Sequence, residues 1–193
     1  MDTFQSTRMM WLRDLLACTI PFNTARIMTF GYNSSLFDAK STDRLSDWAN
    51  FLLSKLEDIR TSPEESSRPI IFICHSLGGI VARRAMVITN NLAQKYKGIT
   101  ITNCGLLFLS TPHSGSREAD YSKFLTNLLE SLVGLRSNAI VKELQSFNAS
   151  SVDDLEAFEH MSEVPPFACL CEGNTTNVPG KGSCEVRCLF PAS

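Results

Sequence analysis

The chain predicts an α/β protein, a doubly wound and mainly parallel sheet with helices on both faces. Three observations predict it. Short apolar runs at 70–74 and 106–109 each break abruptly into small polar residues. Helix-periodic stretches lie between and beyond those runs, and alternating strand and helix is the pattern that yields parallel pairing. Finally, 193 residues with 44% apolar and 20% charged content suffice for one globular core.

Taken in order, Met9, Trp11, Leu12, Leu15 and Leu16 fall at roughly helical spacing over residues 8–17, with Pro21 and Asn23 beyond the end. Ala25 to Phe30 reads as a strand closed by Gly31-Tyr32-Asn33. Asp43 is placed to cap a helix whose apolar stripe is Leu45, Trp48, Ala49, Leu52, Leu53 and Leu56. Thr61 to Pro69, rich in Ser, Pro and Glu, reads as a surface loop. Ile70 to Cys74 is a continuous apolar run, which suits a central strand buried on both faces.

The next helix runs through Ile80, Val81, Met86 and Val87 towards Tyr96, with Gly98 as its stop. Leu106 to Leu109 forms the following strand and ends in Ser110-Thr111-Pro112-His113-Ser114-Gly115-Ser116. Residues 121–147 are helical by pattern, Val152 to Met161 forms a short helix, and Phe167 to Cys171 forms a last strand after Pro165-Pro166. From Gly173 the periodicity vanishes. The expected organisation is one α/β domain over 1–172 and an irregular, Cys-rich tail over 173–193.

Composition narrows the function. A net charge of −2, with acids and bases interspersed, gives no electrostatic case for nucleic acid. No stretch approaches the roughly 20 apolar residues of a transmembrane helix. Asp2, Arg8, Arg13 and Asp14 stand where a secretory signal would be apolar, so an intracellular, non-secreted protein is expected. Cys18, Cys74 and Cys104 read as small buried hydrophobes. Cys169, Cys171, Cys184 and Cys188 are spaced C-x-C and C-x3-C rather than C-x2-C, so no metal and no cofactor is expected. Neither composition nor motif signals an oligomeric interface.

The chemistry concentrates at Cys74-His75-Ser76-Leu77-Gly78-Gly79. An apolar strand that breaks at a Ser and opens a helix is the pattern of a nucleophile elbow, which exposes the hydroxyl at the end of a sheet. Such a turn asks for small residues two places either side of the Ser, here Cys74 and Gly78. The Leu77 backbone N–H then supplies one oxyanion donor at the helix start. A hydroxyl needs a base to become nucleophilic, and in this architecture the chain order is Ser, then acid, then His. Glu172 directly follows the last strand, where the acid belongs. Among the three histidines, His75 adjoins the nucleophile and reads as structural, and His160 reads as a surface residue. His113, near the sheet's C-terminal edge, is the candidate base although it precedes the acid. Asp38, Asp120, Ser114 and Ser116 read as loop, cap or turn residues.

Four segments in matching order, Trp11 to Leu16, Ala25 to Tyr32, Arg68 to Val81 and Gly105 to Ser116, resemble the α/β-hydrolase domain of the serine active-site-containing esterases. That group is related to lipases and to GPI inositol-deacylases, and the similarity runs from about residue 9 to about residue 172. The resemblance implies a partial α/β-hydrolase fold, hydrolysis of acyl esters in lipid-like substrates, and peripheral association with mitochondrial or endoplasmic reticulum membranes. Family members begin with a strand ending in His-Gly and carry a catalytic His beyond the last strand. The sequence starts after the first of these, and its tail does not resemble the second, so truncation at both ends is expected. The alternative is a non-catalytic pseudo-hydrolase interaction module or a fragment lacking the catalytic His.

Overall fold

A computed structural model describes residues 11–32, 44–111 and 152–170. Backbone contacts divide the chain into two compact units, residues 1–32 and 33–193.

In the first unit the described residues form a single helical turn, α1 (Trp11–Asp14), followed by 3-10 turns at Leu16–Cys18 and Phe22–Thr24. The Thr19 hydroxyl donates to the Leu15 carbonyl at 2.9 Å, and Pro21, which has no N–H to give a helix, follows. Residues 26–32 form neither helix nor strand, which corrects the expected strand at Ala25 to Phe30. Ala25 is extended (φ −78°, ψ 143°), but an extended segment becomes a strand only through a ladder partner, and composition does not supply one. Cys18 is exposed, not buried as its apolar neighbours suggested.

The second unit holds the sheet. Its strands β1 (Ile70–His75), β2 (Cys104–Leu109) and β3 (Phe167–Leu170) are all parallel, in the order β1-β2-β3. The described helices of this unit are α2 (Arg44–Ile59), α3 (Pro63–Ser67), α4 (Leu77–Asn91) and α5 (residues 152–159). Register places Ile70 beside Cys104, Cys74 beside Phe108, and Phe108 beside Cys169. Side chains alternate across a strand, so these five residues share one face, and all are buried. Leu106 joins them, 3% exposed. Their neighbours Ile71, Ile73 and Leu170 point to the other face and are 62%, 40% and 44% exposed.

Helix α4 packs on the buried face, and α2 packs on α4 through Leu45, Ala49, Leu52, Leu53 and Leu56, the stripe legible in the sequence. Helix α5 reaches the same face through Phe158, whose ring stands edge-on to Phe167 at 6.1 Å, as Phe167 does to Phe108. Arg84 joins the three helices: its guanidinium bonds Asp154 of α5 at 2.5 Å and the Ser46 hydroxyl of α2 at 2.6 and 2.8 Å.

Three expectations change. Strand β1 lies at an edge of the described sheet and β2 at its centre; an unbroken apolar run does not say which side is covered. The stretch 61–69 is not all loop, because Ser62 caps α3 by accepting from the Glu65 N–H at 3.2 Å, with Pro63 opening the helix. Helix α4 ends at Asn91, short of Tyr96. The chain turns back so that the Tyr96 hydroxyl reaches Asn50 at 2.8 Å and the Gly98 N–H reaches the Glu57 carboxylate at 3.0 Å. Gly98 is needed for close approach, since a Cβ there would lie 2.9 Å from the Arg60 carbonyl oxygen. Arg60, itself buried, seals this corner through the carbonyls of Gly98, Ser66 and Arg68 at 2.6–2.9 Å.

Candidate active site

Ser76 occupies the turn between β1 and α4 with φ 51° and ψ −120°. A non-glycine residue with positive φ costs of order 1–3 kcal/mol and persists only when its surroundings hold it. Two anchors hold it. The Ser76 N–H donates to the Leu109 carbonyl at 2.9 Å, adding one rung to the β1–β2 ladder, and the Ser76 carbonyl accepts the Gly79 N–H at 3.1 Å. The Ser76 side chain makes no capping bond to the helix it precedes, which leaves the hydroxyl for other use.

Leu77 is the first residue of α4. The first N–H groups of a helix have no acceptor within it, and they sit at the positive end of its dipole. An anion forming on a group attacked by Ser76 would meet the Leu77 N–H there.

Cys74 is buried, and burial pushes its thiol up to about 12, so it stays protonated at neutral pH and does not compete as a nucleophile. His75 is exposed on the strand face opposite Cys74. The steric demand at the glycine pair falls one residue later than the elbow pattern suggests. No described atom comes within 4 Å of a Cβ placed at Gly78, whereas a Cβ at Gly79 would stand 2.2 Å from the Thr111 hydroxyl oxygen. Thr111, to which the sequence assigns no role, is buried, and its hydroxyl donates to the Ser76 carbonyl at 3.1 Å. No local signal marks it, because only the parallel pairing of β1 and β2 brings residue 111 beside residue 79.

His113 and Glu172, together with Asp38, Asp120, Ser114 and Ser116, lie outside the described residues. His160 is exposed at the end of α5, its Nδ1 2.8 Å from the Glu156 carbonyl oxygen. Among the described residues no group of three or more His, Cys, Asp or Glu side chains could hold a metal ion, and no helix is long and apolar enough to cross a membrane. A surface depression of about 390 Å³, lined by residues of α2 with Lys95 and Tyr96, includes none of the elbow residues.

A parallel sheet whose edge strand turns through a positive-φ serine into a buried helix is an α/β domain of hydrolase type. Residues 24–158 match the PGAP1-like alpha/beta domain, and the chain belongs to that family. It is similar to Protein SERAC1 of Mus musculus, 31% identical over 124 residues, and to its counterparts in Homo sapiens at 30% and Danio rerio at 25%. These matches take in 62% of this chain and 18% of each relative's length, so the chain spans a minor part of the curated proteins it matches. No solved structure gives a significant match.

Proposed function

We propose that the chain is the catalytic α/β portion of a serine hydrolase acting on acyl esters of lipid-like substrates. The observation that carries this reading is Ser76 at φ 51° on the β1–α4 turn, its side chain free of any capping role. A serine strained at positive φ between the C-terminal end of a parallel strand and the first turn of a helix, as Ser76 is, is how a hydroxyl is presented to a carbonyl group. The family match and the esterase resemblance point to the same chemistry.

In this reading the Ser76 oxygen attacks the ester carbonyl carbon while a base removes its proton. The carbonyl oxygen takes up the negative charge facing the Leu77 N–H. Collapse of the tetrahedral intermediate expels the alcohol, which recovers the proton, and water then releases the acid by the same route. Glu172 is the candidate partner of the base, and His113 the candidate base within these residues. The substrate class suggests peripheral work at a membrane surface, of the mitochondrion or the endoplasmic reticulum.

A second reading has its own observation. The histidines among the described residues are His75, exposed on the strand face opposite Cys74, and His160, exposed at the end of α5. A chain whose serine has no base would be a non-catalytic interaction module on a hydrolase scaffold. Labelling with a fluorophosphonate probe separates the two readings. Labelling that is lost in Ser76→Ala and strongly reduced in His113→Asn supports the hydrolase with His113 as base. A folded chain that never labels supports the interaction module.

A further inference from the structure

Two neighbouring strands end in the same way. The Ser76 N–H donates to the Leu109 carbonyl at 2.9 Å and the residue then takes φ 51°. One strand over, the Ser110 N–H donates to the Leu170 carbonyl at 2.8 Å and the residue takes φ 49°. Each nitrogen thus extends the parallel ladder by one rung before the backbone leaves the sheet through the left-handed region.

The second turn brings Thr111 inward beneath the first. Thr111 is 3% exposed, and its hydroxyl donates to the Ser76 carbonyl at 3.1 Å. Its Cγ2 and Oγ1 fill the space above Gly79, where a Cβ would lie 2.5 and 2.2 Å from them. The Ser76 carbonyl and the Leu77 N–H belong to one planar peptide unit and point in opposite directions. Whatever fixes the carbonyl therefore aims the N–H.

We propose that Thr111 is a positioning residue of the elbow: through the Ser76 carbonyl it orients the Leu77 N–H as an oxyanion donor and holds Ser76 in its positive-φ conformation. It touches no reacting atom and acts through the Ser76–Leu77 peptide. This inference rests on the reading of Ser76 as the nucleophile. It also accounts for the glycine at 79, which leaves room for the threonine, and for the strained Ser110, whose turn delivers it.

The test compares two variants of the full chain. Thr111→Val keeps the branched shape and removes the donor, whereas Thr111→Ser keeps the donor and removes the methyl. If Thr111 acts through its hydroxyl, the rate of fluorophosphonate labelling falls about tenfold or more in Thr111→Val and recovers in Thr111→Ser. Turnover of a p-nitrophenyl ester then loses kcat with KM unchanged, because an oxyanion donor acts in the transition state. Equal labelling rates in wild type and Thr111→Val overturn the proposal. So does a Thr111→Ser variant as slow as Thr111→Val, which would make the residue mere packing.

Amide hydrogen exchange keeps the two ideas separate. If the wild-type chain does not label, the nucleophile reading fails, but exchange at the Gly79 amide, which donates to the same Ser76 carbonyl, still reports on positioning. Exchange about tenfold faster in Thr111→Val and restored in Thr111→Ser supports the positioning role, and unchanged rates overturn it. Should Thr111→Val fail to fold, Thr111→Cys replaces it, with a thiol as the weaker donor and the same size comparison to Ser.

Discussion

The two faces of the sheet formed by the described strands are built from the same kind of residue and sit in opposite environments. Ile70 and Ile71 are adjacent in β1, yet the first is 8% exposed and the second 62%. On one face Ile70, Cys74, Cys104, Leu106, Phe108 and Cys169 are buried, with α4 packed on β1 and Phe158 of α5 against Phe167. On the other Ile71, Ile73 and Leu170 stay accessible. Stability is therefore expected to reside in one face, and the elbow inherits its rigidity from it, since α4, which Ser76 introduces, is buried along most of its length. Apolar composition alone does not stabilise a strand; contact with a covering helix does.

The largest effect should come from the centre of the covered face. Phe108 is 1% exposed, lies on the central strand beside Cys74 and Cys169, and meets the ring of Phe167. Phe108→Ala should lower stability by about 3–5 kcal/mol, through lost transfer energy and an unfilled cavity. Urea denaturation followed by circular dichroism would measure it. A loss below about 1 kcal/mol would mean that the covered face is loosely packed.

A medium effect should appear at alkaline pH and come from the same face. Burial raises the Cys74 thiol from 9.0 to about 12, and raises Cys104 from 9.0 to about 11 against a smaller opposing pull from Arg60. Both folded values exceed the unfolded one, so above pH 9 the unfolded chain holds fewer thiol protons than the folded chain. Stability is then whole below about pH 9 and falls as pH rises towards the folded values, by up to about 1.4 kcal/mol per pH unit for each thiol. Cys74→Ala should flatten the alkaline limb of a plot of melting temperature against pH. Iodoacetamide at neutral pH should alkylate exposed Cys18 well before buried Cys74, Cys104 or Cys169, which peptide mass spectrometry would resolve.

Much of this arrangement was legible in the chain. The run Ile70 to Cys74 breaking at Ser76 located the strand-to-helix turn, the apolar stripe of α2 gave its packing face, and Cys74 and Cys104 read correctly as small hydrophobes. What stayed hidden depends on tertiary placement. The exposure of Ile71 follows from which face the crossover helices cover, and no periodicity in an unbroken apolar run encodes that. The early end of α4 is set by Tyr96 and Gly98 finding Asn50 and Glu57 on another helix. Thr111 was passed over for the same reason, being 35 residues from the carbonyl it holds. Cys18 shows the converse error, because apolar neighbours in sequence are not neighbours in space.

The smallest expected effect is also the sharpest test of the comparison, since it moves a single substitution by one residue. Ile70→Thr places a hydroxyl against α4-covered surface beside Cys104 and should cost about 2 kcal/mol. Ile71→Thr keeps the β-branch that favours a strand, removes apolar surface that is already 62% exposed, and should change stability by less than about 0.5 kcal/mol. Chemical denaturation of the two variants side by side measures the difference, and comparing their slopes shows whether either alters the surface exposed on unfolding. If Ile71→Thr cost as much as Ile70→Thr, the accessible face would have to be covered in solution, and the two faces would not differ. If it is silent, the side-chain packing that stabilises β1 lies on the helix-covered side.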